Sequence, residues 1–232
     1  MRKVLSYSFF VISFGLLVSA VSVKEVRAQD LIGDIMRRMD VNNKNLQSLT
    51  ADVTMVKYNP QINTYDTTNG TANYLPKTPK RVMYIRIDWT KPVQESISVI
   101  GDAYELYRPT LNQVYVGKTS KAKNNASVGS ALAFMSMSSA QLKQNYSSRL
   151  LGKEQVKGGI DTAHLELTPK YPTSYKSAEI WVDADGMPRQ AMVVEQNGDS
   201  TTVLLSNIQK NVKLDGKIFK LNYPSSVKKI KA

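Results

Sequence analysis

Residues 179–223 read EIWVDADGMPRQAMVVEQNGDSTTVLLSNIQKNVKLDGKIFKLNY. Ile180 and Val182 alternate ahead of Asp185-Gly186, Met192 and Val194 alternate behind it, and Val203 and Leu205 follow Asn197-Gly198-Asp199. A period of two broken by Asp-Gly or Asn-Gly predicts strands joined by hairpin turns, because such turns need residues that tolerate positive φ. Asp215-Gly216 then turns the chain once more into IFKLNY, giving about four consecutive antiparallel strands. The rest of the chain has to complete or cover that sheet.

Upstream, the same period recurs. Leu49, Ala51, Val53 and Met55 alternate with Thr50, Asp52 and Thr54, and a second strand runs from about Asn69-Gly70 to Tyr74. Pro76 and Pro79 interrupt the ladder, since each removes a donor. In RVMYIRIDWTKP, Met83, Ile85, Ile87 and Trp89 share one face, and Tyr84, Arg86 and Asp88 the other. Short strands follow through Val99, Tyr107 and Val116, and further strands are predicted over Arg149–Val156 and Thr162–Thr168.

Helical spacing appears in three places. Asp30 can cap a helix from Leu31, with Leu31, Ile32, Ile35, Met36 and Met39 on one face. Behind the polar stretch Lys118–Asn125, residues 127–137 carry Leu132, Phe134, Met135 and Met137, and Ser138 or Ser139 starts a short helix bearing Leu142 and Tyr146. The predicted fold class is therefore α+β and mainly antiparallel β, with about eleven strands and three helices.

The N-terminus joins Arg2 and Lys3 to an apolar run from about Phe9 to Val23 and ends on Val26-Arg27-Ala28. That layout predicts a secretory signal peptide over residues 1–28, cleaved after Ala28, and one domain over 29–232. The competing reading, an uncleaved anchor, needs a longer uninterrupted apolar run. Cleavage takes away four basic residues (Arg2, Lys3, Lys24, Arg27) and one acidic residue (Glu25), lowering the formal charge from +12 to +9. With no cysteine, neither a disulfide nor an acylated N-terminal Cys is available, so a freely soluble exported protein is expected. The lysines are scattered without aromatic interleaving, which argues against nucleic acid.

The chemistry inventory is sparse. His164 is the single histidine, placed in a strand on the same side as Glu166, and a lone His makes no His-based metal site. No G-x-S-x-G, H-E-x-x-H or phosphate-cradling loop is present, and Asp183-Ala184-Asp185-Gly186 is too short for a calcium loop. These absences predict no catalytic site, no metal and no cofactor.

Several segments, taken in order, resemble the periplasmic outer-membrane lipoprotein carrier family, LolA. They are Lys77-Thr78-Pro79 with the strand from Val82 to Trp89, Pro92 with Ile97, Gly101 and Tyr107-Arg108-Pro109, LTPKYP, IWVDADGMPRQ, NGDSTTVLLSNIQKN and FKLNYPSSVKKI. The resemblance implies an unclosed, curved β-barrel whose concave face is covered by helices and leaves an apolar cavity for acyl chains. By the same resemblance, Ile35, Met36, Met83, Ile85, Ile87 and Trp89 line that cavity, and Leu132, Phe134, Met135 and Met137 form a movable lid. Plain core packing is the competing reading of each. Family members commonly carry Arg immediately before the Pro of the K-x-P step; here that residue is Thr78, leaving Lys77, Lys80 or Arg81 to latch the lid. A monomeric periplasmic chaperone is implied, taking acylated lipoproteins or lipids from an inner-membrane ABC exporter to an outer-membrane acceptor. The alternative is an envelope-sensing regulatory module of the same fold.

Overall fold

The computed structural model describes residues 28–119 and 137–231. One sheet of twelve strands runs through them, in the order β12-β6-β5-β4-β3-β2-β1-β11-β10-β9-β8-β7. The first meander comprises β1 (Leu49–Asn59), β2 (Thr64–Leu75), β3 (Tyr84–Lys91), β4 (Glu95–Ile100), β5 (Ala103–Arg108) and β6 (Gln113–Lys118). The second comprises β7 (Tyr146–Val156), β8 (Ile160–Pro169), β9 (Tyr175–Asp183), β10 (Pro188–Glu195) and β11 (Ser200–Lys210). The two meanders join where β1 pairs antiparallel with β11, Val53 opposite Leu205. The end strands β7 and β12 do not pair with each other, so the sheet stays open.

Two helices lie on one face, α1 (Ala28–Asn45) and α2 (Ser139–Asn145). The core fills the space between helices and sheet: Ile35, Met36 and Met39 of α1 and Leu142 of α2 meet Val53, Ile87, Leu165, Ile180, Val193 and Val203. Burying such side chains is worth about 1.5–3 kcal/mol each, which makes this face the main source of cohesion. The mainly antiparallel sheet expected from the alternation, and its unclosed form implied by the resemblance, are what the described residues show, with twelve strands in place of about eleven.

Four expectations need correcting. α1 starts at Ala28 rather than Leu31, so Asp30 sits in its first turn instead of capping it, and Leu31 is exposed. β2 starts at Thr64 and pairs with β1 from Thr64 to Tyr74. In β10 the buried face carries Ala191 and Val193, not Met192 and Val194. A register shift between Pro188 and Gln190 changes the phase of the alternation, and a one-residue shift turns every later side chain to the other face. Finally, IFKLNY is not a strand. Gly216–Phe219 form a 3-10 turn capped by Asp215, whose Oδ1 accepts from the Lys217 amide at 2.9 Å.

From that turn the chain crosses the outer face of β3 and β4. Phe219 is fully buried edge-on against Tyr84, 5.4 Å between centroids, and its carbonyl accepts from Ser98 Oγ. The chain then reaches β6, where β12 (Lys228–Lys231) pairs in parallel. The residues expected to form the third helix lie outside the described residues, except Met137, which is not helical.

Candidate functional site

The apolar face of β3 brings Ile87 and Trp89 into the core at 3% and 6% exposure, with Ile85 half-buried beside them. Ile85 stands opposite Tyr74 of β2 and Val99 of β4, and Ile87 opposite Ala72 and Ile97, so a continuous apolar surface crosses the first meander. Ile35 and Met36 press on the same core from α1. Met83 lies just before β3 and is half-buried, outside the residues that pack on the core. Five of the six expected cavity residues are thus brought together, and Met83 is set apart.

At this face the described side chains pack against one another in one core cluster. Hollows of about 230 and 610 Å³ open elsewhere: the first is lined by Arg86, Asp88, Ser96 and Tyr107, the second by Asp52, Thr71 and Asn207. Trp89 borders the first, and no other expected cavity residue lines either hollow.

Leu132, Phe134 and Met135 of the expected lid lie outside the described residues. Met137 packs on the core, and its carbonyl accepts from Asn43 Nδ2 at 3.3 Å. The next contacts tie the two helices to each other. Asp40 of α1 accepts from the Ser139 amide at 2.8 Å and from the Ser139 hydroxyl. Ser138 and Gln141 form a capping box that starts α2, as the Ser-Ser break in the sequence predicts.

Of the three latch candidates, Arg81 is engaged. Its guanidinium donates to the Gln47 carbonyl at 3.4 Å and to the Pro76 carbonyl at 3.3 Å, fastening the β2–β3 connection to the segment that leaves α1. Lys77 and Lys80 are exposed and make no side-chain hydrogen bond among the described residues.

Sequence reasoning missed what seats α1. Asp183 is 5% exposed, accepts from the Asp185 and Met187 amides at 2.9 Å, and pairs with Arg189 at 2.6 Å. These bonds shape the β9–β10 turn so that Gly186, at φ +80°, touches the backbone of α1; a Cβ there would meet Arg38 C and O at 2.3 Å. Arg38 in turn donates to the Ala184 carbonyl at 2.6 Å. The Asp-Ala-Asp-Gly run was legible as a turn, but nothing local announces a helix from 145 residues upstream.

A few polar groups stand among the apolar ones. The Tyr146 and Tyr175 hydroxyls share a 2.5 Å hydrogen bond, and burial, reinforced by that bond, raises the Tyr175 pKa well above the usual phenol range. Burial also raises Tyr74. His164 lies on the opposite face, between Glu154 at 2.9 Å and Glu179 at 2.6 Å, and stacks on Trp181 with centroids 4.0 Å apart. Trp181 with Val156 and Leu204 makes a second small cluster there, so His164 has a structural setting. Among the described residues no group of three His, Cys, Asp or Glu is placed to hold a metal ion.

An open antiparallel sheet with an apolar face plugged by helices is the arrangement the resemblance implied, and the family comparison decides it. The family described as outer membrane lipoprotein carrier protein LolA matches residues 39–222. The chain belongs to the LolA family. The matched span runs from Met39, within the second half of α1, to the segment crossing the outer face, so it includes the apolar face of β3 and the turn that seats α1.

Among solved structures, an uncharacterized conserved protein from Thermus thermophilus is 12% identical with a TM-score of 0.55, over 87% of this chain and 99% of that one. MucB is 12% identical at a TM-score of 0.54, over 82% of this chain and 62% of its own. The Pseudomonas aeruginosa MucA/MucB complex matches at 13% identity and 0.50, over 82% and 60%. At these identities the likeness is one of fold. No curated protein matches the sequence. LolA is a binding and carrier family rather than a catalytic one.

Proposed function

We propose that this protein is an exported carrier that binds acyl chains of lipoproteins or lipids on the apolar face between α1, α2 and β3, and moves them between the two envelope membranes. Its sources and destinations in this reading are an inner-membrane ABC exporter and an outer-membrane acceptor, with residues 1–28 removed on export. The observation that carries the reading is that the sheet's apolar face is plugged by two tied helices and not by a second sheet. Such a plug can be displaced without breaking a strand ladder.

Magnitudes support exchange. Transferring a sixteen-carbon acyl chain out of water gains on the order of 10 kcal/mol, at about 0.8 kcal/mol per CH₂. Ile35, Met36, Met39 and Leu142 contribute roughly 1.5–3 kcal/mol each when buried, a comparable total. Ligand and plug therefore compete on nearly equal terms, which lets a carrier both accept and release. Met137, bonded to Asn43, and the tied pair Asp40–Ser139 make the two helices respond together.

A second reading is a sensor that binds an envelope protein or lipid and controls a membrane partner; the fold shared with MucB, also solved with MucA, favours it. Mass spectrometry of material co-purifying with the protein from its native envelope separates the two. Acylated lipoproteins or free acyl lipids in stoichiometric amount are expected for a carrier. A single membrane protein, with no acyl species, would replace the carrier reading with the sensor.

A further inference from the structure

The segment after β11 carries a charge pattern that has no part in the apolar face. Between Val212 and Lys231 it holds six lysines, at 213, 217, 220, 228, 229 and 231, and one acid, Asp215. All six are exposed, and none forms an ion pair among the described residues.

The lysines ride on a fixed support. Phe219 is fully buried and Val227 is 8% exposed, Arg86 donates to the Ile218 and Lys220 carbonyls, and Asn112 Nδ2 donates to the Ser226 carbonyl at 3.2 Å. β12 then zips onto β6, with Lys229 Nζ 5.5 Å above the Tyr223 ring.

Acids beneath the strip are already engaged. Asp88 pairs with Arg86 at 2.7 Å, Glu95 with Arg108 at 2.9 Å, Glu105 accepts from the Tyr223 hydroxyl at 3.3 Å, and Asp215 caps its turn. The outer side of β3–β6 therefore presents the uncompensated charge of Lys217, Lys220, Lys229 and Lys231, the last two on the same side of β12, away from the apolar face of β3.

We propose that this lysine strip is a docking surface for anionic phospholipid head groups. The residue type chooses between a membrane and an acidic protein. All the cations are Lys, compact and strongly hydrated charges on flexible stems, whereas specific protein interfaces favour Arg and aromatic anchors and are depleted in Lys. Diffuse negative charge of a lipid surface suits such a strip, with each lysine adding to the attraction. The strip goes beyond the carrier reading and does not depend on it.

The test expresses the full-length chain with export, and mixes the recovered protein with vesicles of phosphatidylglycerol and phosphatidylcholine, or of phosphatidylcholine alone. Co-sedimentation is expected with the anionic vesicles alone, and a drop of roughly tenfold or more is expected on raising salt from about 0.02 M to about 0.5 M. Replacing Lys217, Lys220, Lys229 and Lys231 together by Gln should weaken binding by about tenfold or more. Replacing the exposed Lys57, Lys153, Lys157 and Lys176 removes the same charge elsewhere and should change it by less than about twofold, with circular dichroism reporting that both variants fold. Equal losses in the two variants, or equal binding to neutral vesicles, would overturn the proposal. So would strip-dependent binding to polyglutamate with none to vesicles, which would assign the surface to an acidic protein.

Discussion

Gly186 shows how one position couples turn geometry to helix placement. Its φ of +80° and the 2.3 Å approach of a notional Cβ to Arg38 mean that Gly186→Ala must both strain the turn and lift α1. We expect a loss of about 2–4 kcal/mol in denaturant unfolding. Gly159→Ala, at φ +72° with nothing within 4 Å, isolates the backbone cost and should lose only about 1 kcal/mol. Equal losses would mean that α1 does not rest on the turn. The buried tyrosines make a pH prediction. Tyr175 and Tyr74 have raised pKa values when folded, so the folded state holds their protons after the unfolded chain begins to release them near pH 10. Their contribution is complete below that point and is lost as pH rises above it. Unfolding free energy should therefore fall above about pH 10, and less steeply in Tyr175→Phe. At this scale the sequence was legible where a residue's own chemistry decides, as at the Asp-Gly turns, and misleading where a neighbour decides. Met192 is larger than Ala191, and Met192 with Val194 carried the apolar alternation read from the sequence. The shift after Pro188 reversed them, and Met192 instead packs with Trp181 and Leu204 on the outer face.

Strands of the two meanders could be read because each pairs with its sequence neighbour and each turn is local. The terminal segment could not, because its partners are distant: Phe219 meets Tyr84 and Ser98, and β12 meets β6 more than 100 residues away. Alternation in IFKLNY records burial of Phe219 but not the element that buries it. The opposite faces of β3 allow a paired test. Ile85→Glu places a carboxylate on the half-buried apolar face and should weaken binding of a fluorescent fatty acid by about tenfold or more, since that charge must be desolvated. Phe219→Ala should cost about 3–5 kcal/mol of stability from the outer face while leaving that affinity within about twofold. Fluorescence titration beside chemical denaturation checks both. Unchanged binding in a folded Ile85→Glu protein would remove β3 from the binding face.

Taken whole, the molecule is an open sheet held in shape by an apolar face and by helices that are tied to each other and seated on one turn. Length, composition and period were enough to reach a mainly antiparallel sheet, because a meander is built from local hairpins, whereas its open form came from the family resemblance. The position of the helices was carried by the family resemblance and not by periodicity, since amphipathic spacing says that α1 is covered and not by what. The central claim is that α1 and α2 are a plug that an acyl chain displaces. Hydrogen exchange across residues 28–45 and 137–145, with and without a bound acylated ligand, tests it most directly. Displacement of the plug gives faster exchange in both helices and slower exchange in β3 when ligand is present. High protection in the helices that is identical in the two states would make them fixed core and contradict the claim.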